Sequence, residues 1–278
     1  MKKIILGLAL CSAIVFSYAQ AIVTPQPSPT QTVKQNFSVG SIELNYSRPA
    51  VKGRKVYGDL VPFGNVWRTR ANSATTLTFS DDVNIGGKDI KAGKYGLLSI
   101  PGASEWTLII TKDVNVNAPS LYKPENDVVR VMARAVQIPM SIENFTIQFA
   151  NITNSTCELQ LMWENTVVVL PIKANTDAKV MAQIDNIFNK DSKPYFAAAS
   201  YYFENGKDMA MARTWVDKAL AEPANAKAYW MTLLKARIHE KMGDKNGAKN
   251  MAEKTIALAT EAKNDDYVKM ATDLMKKL

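Results

Sequence analysis

The residues best suited to chemistry lie in a basic and aromatic stretch at positions 48–70. Six cations and a single acid, Asp59, give this stretch a local charge of +5. Guanidinium groups bind carboxylate, phosphate or sulfate through paired hydrogen bonds, and an aromatic ring beside them can stack on a sugar. The pattern therefore predicts a site for an anionic or glycan ligand. The candidate ligand-binding residues are Arg48, Arg54, Tyr57, Trp67, Arg68 and Arg70.

Arg68 and Arg70 are the central pair of this hypothesis. They are two positions apart, so on a β-strand they would share one face and hold one anionic group between them, with Trp67 on the opposite face. In that arrangement, changing both to Gln weakens binding and leaves the melting temperature almost unchanged. The alternative is a solvated loop whose arginines pair with carboxylates, and Glu43, Asp59 and Glu105 are the candidate partners.

The remaining reactive residue types indicate no catalytic centre or metal site. His239 is the only histidine, which disfavours a catalytic triad or a multi-histidine metal site. Cys157 begins a predicted strand and is interpreted as a buried thiol. Asp81 and Asp82 precede a Gly-Gly turn but lack the acid density of a calcium loop. No glycine-rich phosphate loop occurs, so neither a cofactor nor a metal is predicted.

The first residues have the pattern of a secretory signal. Lys2 and Lys3 precede an apolar run at positions 4–16, and Ala19 stands at the expected cleavage point. The sequence predicts a signal peptide at 1–19 and a Pro-rich flexible linker at 20–32. Attachment of lipid at Cys11 is the disfavoured alternative. The protein is therefore expected to be exported, to the periplasm or outside the cell, and no later segment has the roughly 18 apolar residues of a membrane span.

Charge is evenly distributed along the exported chain. The segment 20–174 has 15 basic and 12 acidic residues, and 175–278 has 17 and 14. Neither half has a basic tail, which argues against a nucleic-acid partner.

Residues 33–174 have the period-two hydrophobicity of β-strands. Short alternating segments such as Ile42-Leu44-Tyr46 and Trp106-Leu108-Ile110 are separated by turn residues, including Gly86-Gly87. Eight or nine strands are expected. The predicted fold is α+β, with an antiparallel β-sandwich or jelly-roll-like domain at 33–174 followed by a helical domain at 175–278.

The helical segment contains two similar hairpins. Gly206 and Gly243 are 37 residues apart and each is expected to end a helix. Small residues recur at Ser200 and Ala212, and again at Ala236 and Ala248, spaced as in a tetratricopeptide repeat. Helical hairpins without repeat ancestry are the alternative, because Pro223 comes early for this repeat.

A family resemblance is carried by a series of ordered motifs. SRP occurs at 47–49, VYGDLVPFG at 56–64, NVWRTRANSAT at 65–75, KAGKY at 91–95, IPG at 100–102 and EWT at 105–107. These motifs resemble those of the domain-of-unknown-function 2911 family over most of residues 37–172. The resemblance implies an exported bacterial β-domain, often followed by helices, with no established activity. The family commonly has glycine and glutamate where this chain has Arg70 and Ser73. If the family shares a site at these positions, this chain would have an altered form of it.

Three functions are compatible with these patterns. The favoured one is an exported, non-enzymatic binding protein that recognises an anionic or glycan ligand of the cell envelope, while the helices dock a protein partner. The second is a structural component of the envelope. The third is a hydrolase acting on envelope material through Glu43, Asp59 or Glu105, which would need two carboxylates converging in a cleft.

Overall fold

The computed structural model describes residues 24–71, 74–188 and 193–278. The chain divides into two units, one ending at Asn175 and the other comprising Thr176–Leu278. Within the described ranges the first unit forms nine β-strands and the second six α-helices, so the α+β class is confirmed. The predicted signal peptide, the first four residues of the predicted linker, and Ser73 lie outside the described residues.

The strands of the first unit form an antiparallel sheet with the order β1-β2-β3-β6-β7-β8-β9-β4-β5. Their bounds are β1 (Thr30–Phe37), β2 (Gly40–Ser47), β3 (Thr75–Phe79), β4 (Val83–Ile85), β5 (Lys88–Ile90), β6 (Gly93–Ile100), β7 (Glu105–Thr111), β8 (Asp127–Ala150) and β9 (Thr156–Ala174).

The sheet folds over itself at the long strand β8. Residues 127–134 of β8 pair with β7, and residues 135–150 pair with β9. Three strands separate β2 from β8 in the sheet order, yet the rings of Tyr46 and Phe145 lie 6.0 Å apart between centroids. This contact requires the two parts of the sheet to face each other. Their inner faces share one hydrophobic core, as in a sandwich.

Alternation along the strands produces this core. Ile42, Leu44 and Tyr46 of β2 are buried while Glu43 between them is exposed. On β7 the opposite face is buried as well, because Ile109 packs with Leu98, Ala74 and Val116 in a second, smaller cluster. The segment 112–126 contributes Val116 and the partly buried Tyr122 to that cluster, so it covers part of the outer face of the sheet.

Two boundaries differ from those expected from the sequence. Strand β1 begins at Thr30, inside the predicted linker, because residues 30–37 pair with β2 and the Tyr46 hydroxyl donates to Gln31 Oε1 at 2.8 Å. Apolar residues occur in separate groups at 129–133 and 145–149, and again at 159–163 and 167–170, which predicts two short strands in each region. Strands β8 and β9 are instead each continuous. Irregularities of register around Ile142 replace the expected breaks, and Pro139 lies in this region, where β8 lacks a regular ladder.

The second unit consists of consecutive helices that pack on their neighbours. They are α1 (Thr176–Phe188), α2 (Tyr195–Glu204), α3 (Met209–Ala221), α4 (Tyr229–Lys241), α5 (Lys245–Glu261) and α6 (Asp265–Met275). Gly206 (φ 62°) and Gly243 (φ 78°) follow α2 and α4 in the left-handed conformation, which confirms the two predicted hairpin turns. Asp208 and Asp244 then cap α3 and α5 by accepting backbone N–H bonds. Among the described helices, none has the length and hydrophobicity that crossing a bilayer requires.

Candidate functional site

A cavity of about 750 Å³ lies in the first unit, and it brings together four of the six predicted site residues. Arg54, Trp67, Arg68 and Arg70 all line it. The rest of the described lining is mainly apolar and includes Leu60, Val61, Pro62, Val66, Pro119 and Trp163. Its volume is typical of a small-molecule site.

Arg68 is held in the cavity wall by backbone carbonyl groups. Its Nε donates to the carbonyl oxygen of Arg70 at 3.4 Å, and its two terminal nitrogens donate to the carbonyls of Asn117 and Ala71. Arg68 thereby joins its own segment to the 112–126 segment. Since carbonyl oxygens are neutral acceptors, these bonds fix the guanidinium without cancelling its charge.

Arg70 is the buried member of the pair, with 8 % of its surface exposed. Its Nη1 donates to the Oδ1 of Asn45 at 3.0 Å and to the Asn45 carbonyl at 3.4 Å. Burial lowers the pKa of Arg70, and the nearby charge of Arg68 lowers it further. Two like charges therefore face one cavity.

Arg54 is exposed at the cavity and is also bound to carbonyl groups. Its Nε donates to Val51 O at 3.0 Å and its Nη2 to Ala50 O at 2.7 Å. In the part of the chain that the structure describes, neither Arg54 nor Arg68 forms an ion pair with a carboxylate. The sequence left open that Glu43, Asp59 or Glu105 pairs with the arginines. The structure shows no such ion pair for Arg54 or Arg68 among the residues that it describes.

The backbone around the pair does not form the expected strand. Trp67 makes an isolated bridge to Ser99, with N···O distances of 2.7 and 2.9 Å, and the ladder stops there. Thr69 has φ 56°, a left-handed conformation that interrupts the two-residue alternation of a strand. Its hydroxyl donates to Ser99 Oγ at 3.0 Å. Trp67 lines the same cavity as the arginines, whereas a strand would have placed it on the opposite face.

Trp67 also belongs to the aromatic part of the core. Its ring is nearly parallel to that of Trp163, at 17° and 6.0 Å between centroids, and it meets Phe145 edge-on at 5.2 Å. Tyr57 and Trp106 approach it edge-on at 6.3 and 6.2 Å. Trp67 therefore forms part of the apolar wall between the core and the cavity.

The structure does not bring Arg48 or Tyr57 to this cavity. Arg48 donates to the carbonyl of Phe145 and to the hydroxyl of Thr146, which links the end of β2 to β8. Tyr57 is buried in the aromatic core, and this burial raises the pKa of its hydroxyl. It lines a separate cavity of about 150 Å³ together with Glu164.

Several lining residues were not identified from the sequence. Leu60, Val61 and Pro62 belong to the VYGDLVPFG motif, so the proximity of that motif to Arg54 and Trp67 was an available signal. Pro119 and Trp163 are about 50 and 95 residues beyond Arg68. No local sequence pattern indicates that Pro119 and Trp163 lie near Arg68.

The other reactive side chains lie apart from the cavity. Cys157 is buried as expected, and burial raises the pKa of its thiol to about 11. His239 Nδ1 lies 2.8 Å from Asp244 Oδ2 at the start of α5. Across the described ranges, no group of three or more His, Cys, Asp or Glu side chains is arranged to hold a metal ion.

Comparison with known proteins identifies the first unit. A family model described as "Protein of unknown function (DUF2911)" matches residues 28–172, which is more than half of the 278-residue chain. Comparisons with curated proteins and with solved structures found no match. The family match includes the motifs around the cavity and all nine described strands except the last two residues of β9. The chain therefore belongs to the DUF2911 family of proteins of unknown function.

Proposed function

We propose that this is an exported, non-enzymatic binding protein and that the cavity at Arg54, Arg68 and Arg70 is its ligand site. The observation that carries the proposal is the charge of the cavity. Three guanidinium groups line it, and no acidic side chain does so among the described lining residues. An anion entering the cavity would meet the guanidinium groups of Arg54 and Arg68, neither of which is ion-paired to a carboxylate among the described residues. The site is partly desolvated, and charge-assisted hydrogen bonds are strong there.

The way in which these arginines are held also favours binding. Arg54 and Arg68 donate to carbonyl groups of nearby loops, so both side chains are ordered before a ligand arrives. A ligand then does not bear the entropic cost of ordering them. Arg68 and Arg70 repel each other, and an anion bound near them would reduce that repulsion.

The hydrolase alternative lacks support at this cavity. Glu43, Asp59 and Glu105 are not among its described lining residues, so the paired carboxylates of a glycosidase are not found there. In the alternative in which the protein is a structural component of the envelope, the arginines only hold the loops to which they are hydrogen-bonded. It predicts that Arg54, the exposed member, is dispensable for any binding.

The experiment compares Arg54→Gln with Lys55→Gln. Both residues are exposed and basic and stand side by side, but only Arg54 lines the cavity. The mature protein is titrated calorimetrically with inorganic phosphate, glucuronate, decanoate and decyl phosphate at low salt. We expect at least one anion to bind, and Arg54→Gln to weaken it about tenfold, since a charge-assisted hydrogen bond contributes roughly 1.5–3 kcal/mol. Lys55→Gln should leave the affinity within about twofold. Failure of all four anions, or equal effects of the two variants, would exclude this site.

Export and a protein partner are the other parts of the proposal. Export is supported by the basic start, apolar run and Ala19 of the first residues.

The helical unit is proposed to be tetratricopeptide-like, supported by the buried small residues Ala212, Ala236 and Ala248. Trp230 and Met211 are 40 % and 42 % exposed, which supports docking of a protein on these helices.

A further inference from the structure

The types of residue that line the cavity restrict the chemistry of its ligand further than the charge of the arginines does. Nine of its fourteen described lining residues are apolar, three are arginines, and only Ser28 and Asn65 are neutral and polar. A cavity lined in this way offers two kinds of group to a ligand. The arginines supply guanidinium donors, and the apolar side chains supply hydrophobic surface.

A glycan fits the hydrophobic part poorly. Each sugar hydroxyl that leaves water needs a hydrogen-bond partner, and burial without one is costly. Beyond the three arginines, the described lining offers only the side chains of Ser28 and Asn65 and the indole N–H of Trp67, which are few for a saccharide. Trp67 is not a free stacking platform either, because one face of its ring lies against Trp163 and ring edges surround it.

An apolar group fits this wall well. Leu60 lines the cavity while 43 % exposed, and Val61, Val66 and Pro119 lie with it. A hydrophobic ligand would remove the exposed part of Leu60 from water, which is favourable in proportion to the apolar area covered.

Arg54 and Arg68 still have N–H groups that can bind the acidic group of a ligand. A guanidinium group carries five N–H bonds. Arg54 donates to backbone carbonyls through two of its nitrogens, with one N–H from each. Arg68 donates to backbone carbonyls through all three of its nitrogens, again with one N–H from each. Both arginines therefore retain N–H groups for a carboxylate or phosphate oxygen.

We infer that the ligand of this cavity is an amphiphilic anion, a carboxylate or phosphate group carried on an apolar body, and not a polar glycan. This inference rests on the proposed function, since it assumes that the cavity binds an anion. The arginines hold the acidic group, and the wall at Leu60, Val66 and Pro119 covers the apolar body.

The test is calorimetric titration of the intact mature protein with five probes. Decanoate and decyl phosphate combine both parts, 1-decanol has only the apolar part, inorganic phosphate only the charge, and glucuronate is an acidic sugar. We expect decanoate or decyl phosphate to bind at least about tenfold more tightly than the other three, and the stronger of the two identifies the head group.

Two variants locate the apolar part. Leu60→Ser should weaken decanoate binding about fivefold, because it removes an apolar contact from the cavity. Val39→Ser is the matched control, since Val39 is 47 % exposed on the same unit and does not line the cavity. It should leave the affinity unchanged.

The remaining outcomes separate the inference from the proposed function. If glucuronate or phosphate binds as tightly as the amphiphiles and Arg54→Gln weakens it, the amphiphile inference is overturned while the anion site stands. Equal effects of Leu60→Ser and Val39→Ser would also overturn the inference alone. If decanol matches decanoate, or no anion binds, the inference and the proposed function are both overturned.

Discussion

Arg68 combines a structural task with a place in the ligand cavity. Its bonds to the carbonyls of Ala71 and Asn117 connect two segments that are otherwise distant in the chain. The segment containing Asn117 also supplies Val116 to the small cluster on the outer face of β6 and β7. The stability of that covering segment should therefore depend on Arg68. This differs from the expectation for a solvent-facing arginine, whose loss changes stability little.

We expect Arg68→Gln to lower the free energy of unfolding by about 2–3 kcal/mol, because it leaves partly buried carbonyls without their charged donor. Urea unfolding followed by tryptophan fluorescence measures this change. Lys55→Gln is the control, as Lys55 is exposed in the same basic stretch. If both variants unfold at the same urea concentration, Arg68 does not hold the covering segment.

Helices α3 and α4 each carry a large apolar side chain that is exposed. Met211 on α3 and Trp230 on α4 are about two-fifths exposed, whereas Trp215 on α3 is 8 % exposed and belongs to the core of this unit. Aromatic residues and methionine are enriched where proteins dock. These two side chains are therefore the proposed contact points for a partner.

Changing Met211 and Trp230 together to Ser should reduce partner recovery about tenfold, since exposed aromatic anchors commonly contribute 2 kcal/mol or more to an interface. Quantitative mass spectrometry of proteins cross-linked to the mature chain in envelope extract measures the recovery. The control changes Val39 and Met140, which are 47 % and 63 % exposed on the first unit. Loss of the same partners from both variants would place the contact elsewhere, and unchanged recovery from both would refute docking on these helices.

The whole chain is proposed to act outside the cytoplasm after loss of its first 19 residues. The leader pattern predicts cleavage after Ala19 and no lipid on Cys11. Removal of Lys2 and Lys3 lowers the formal charge from +8 to +6.

Intact-mass spectrometry of the protein recovered from its native envelope tests this processing. We expect the mass of residues 20–278 without modification. A mass that includes residues 1–19, or one carrying diacylglycerol on Cys11, would contradict the proposed route. The cytoplasmic precursor, which should retain the full leader, is the internal comparison.

Local patterns in the sequence were sufficient to predict much of the fold. Alternation identified the buried faces of β2 and β7, and Gly206 and Gly243 identified the ends of α2 and α4. These features depend on residues within one strand or one turn, where period and backbone conformation leave few choices. The sequence also identified Arg54, Trp67, Arg68 and Arg70 as candidates, because their charge and aromatic character are visible without coordinates.

The tertiary structure decided how those residues are used. Thr69 adopts a left-handed conformation that interrupts the expected strand, and Trp67 lines the cavity together with Arg68 and Arg70. Tyr57, close to Arg54 in sequence, instead packs into the aromatic core. Pro119 and Trp163 complete the wall from remote parts of the chain. The sequence alone determined the chemical groups and the elements that carry them. The cavity itself depends on which distant segments meet when the sheet folds at β8, and that is set by long-range packing that no local period encodes.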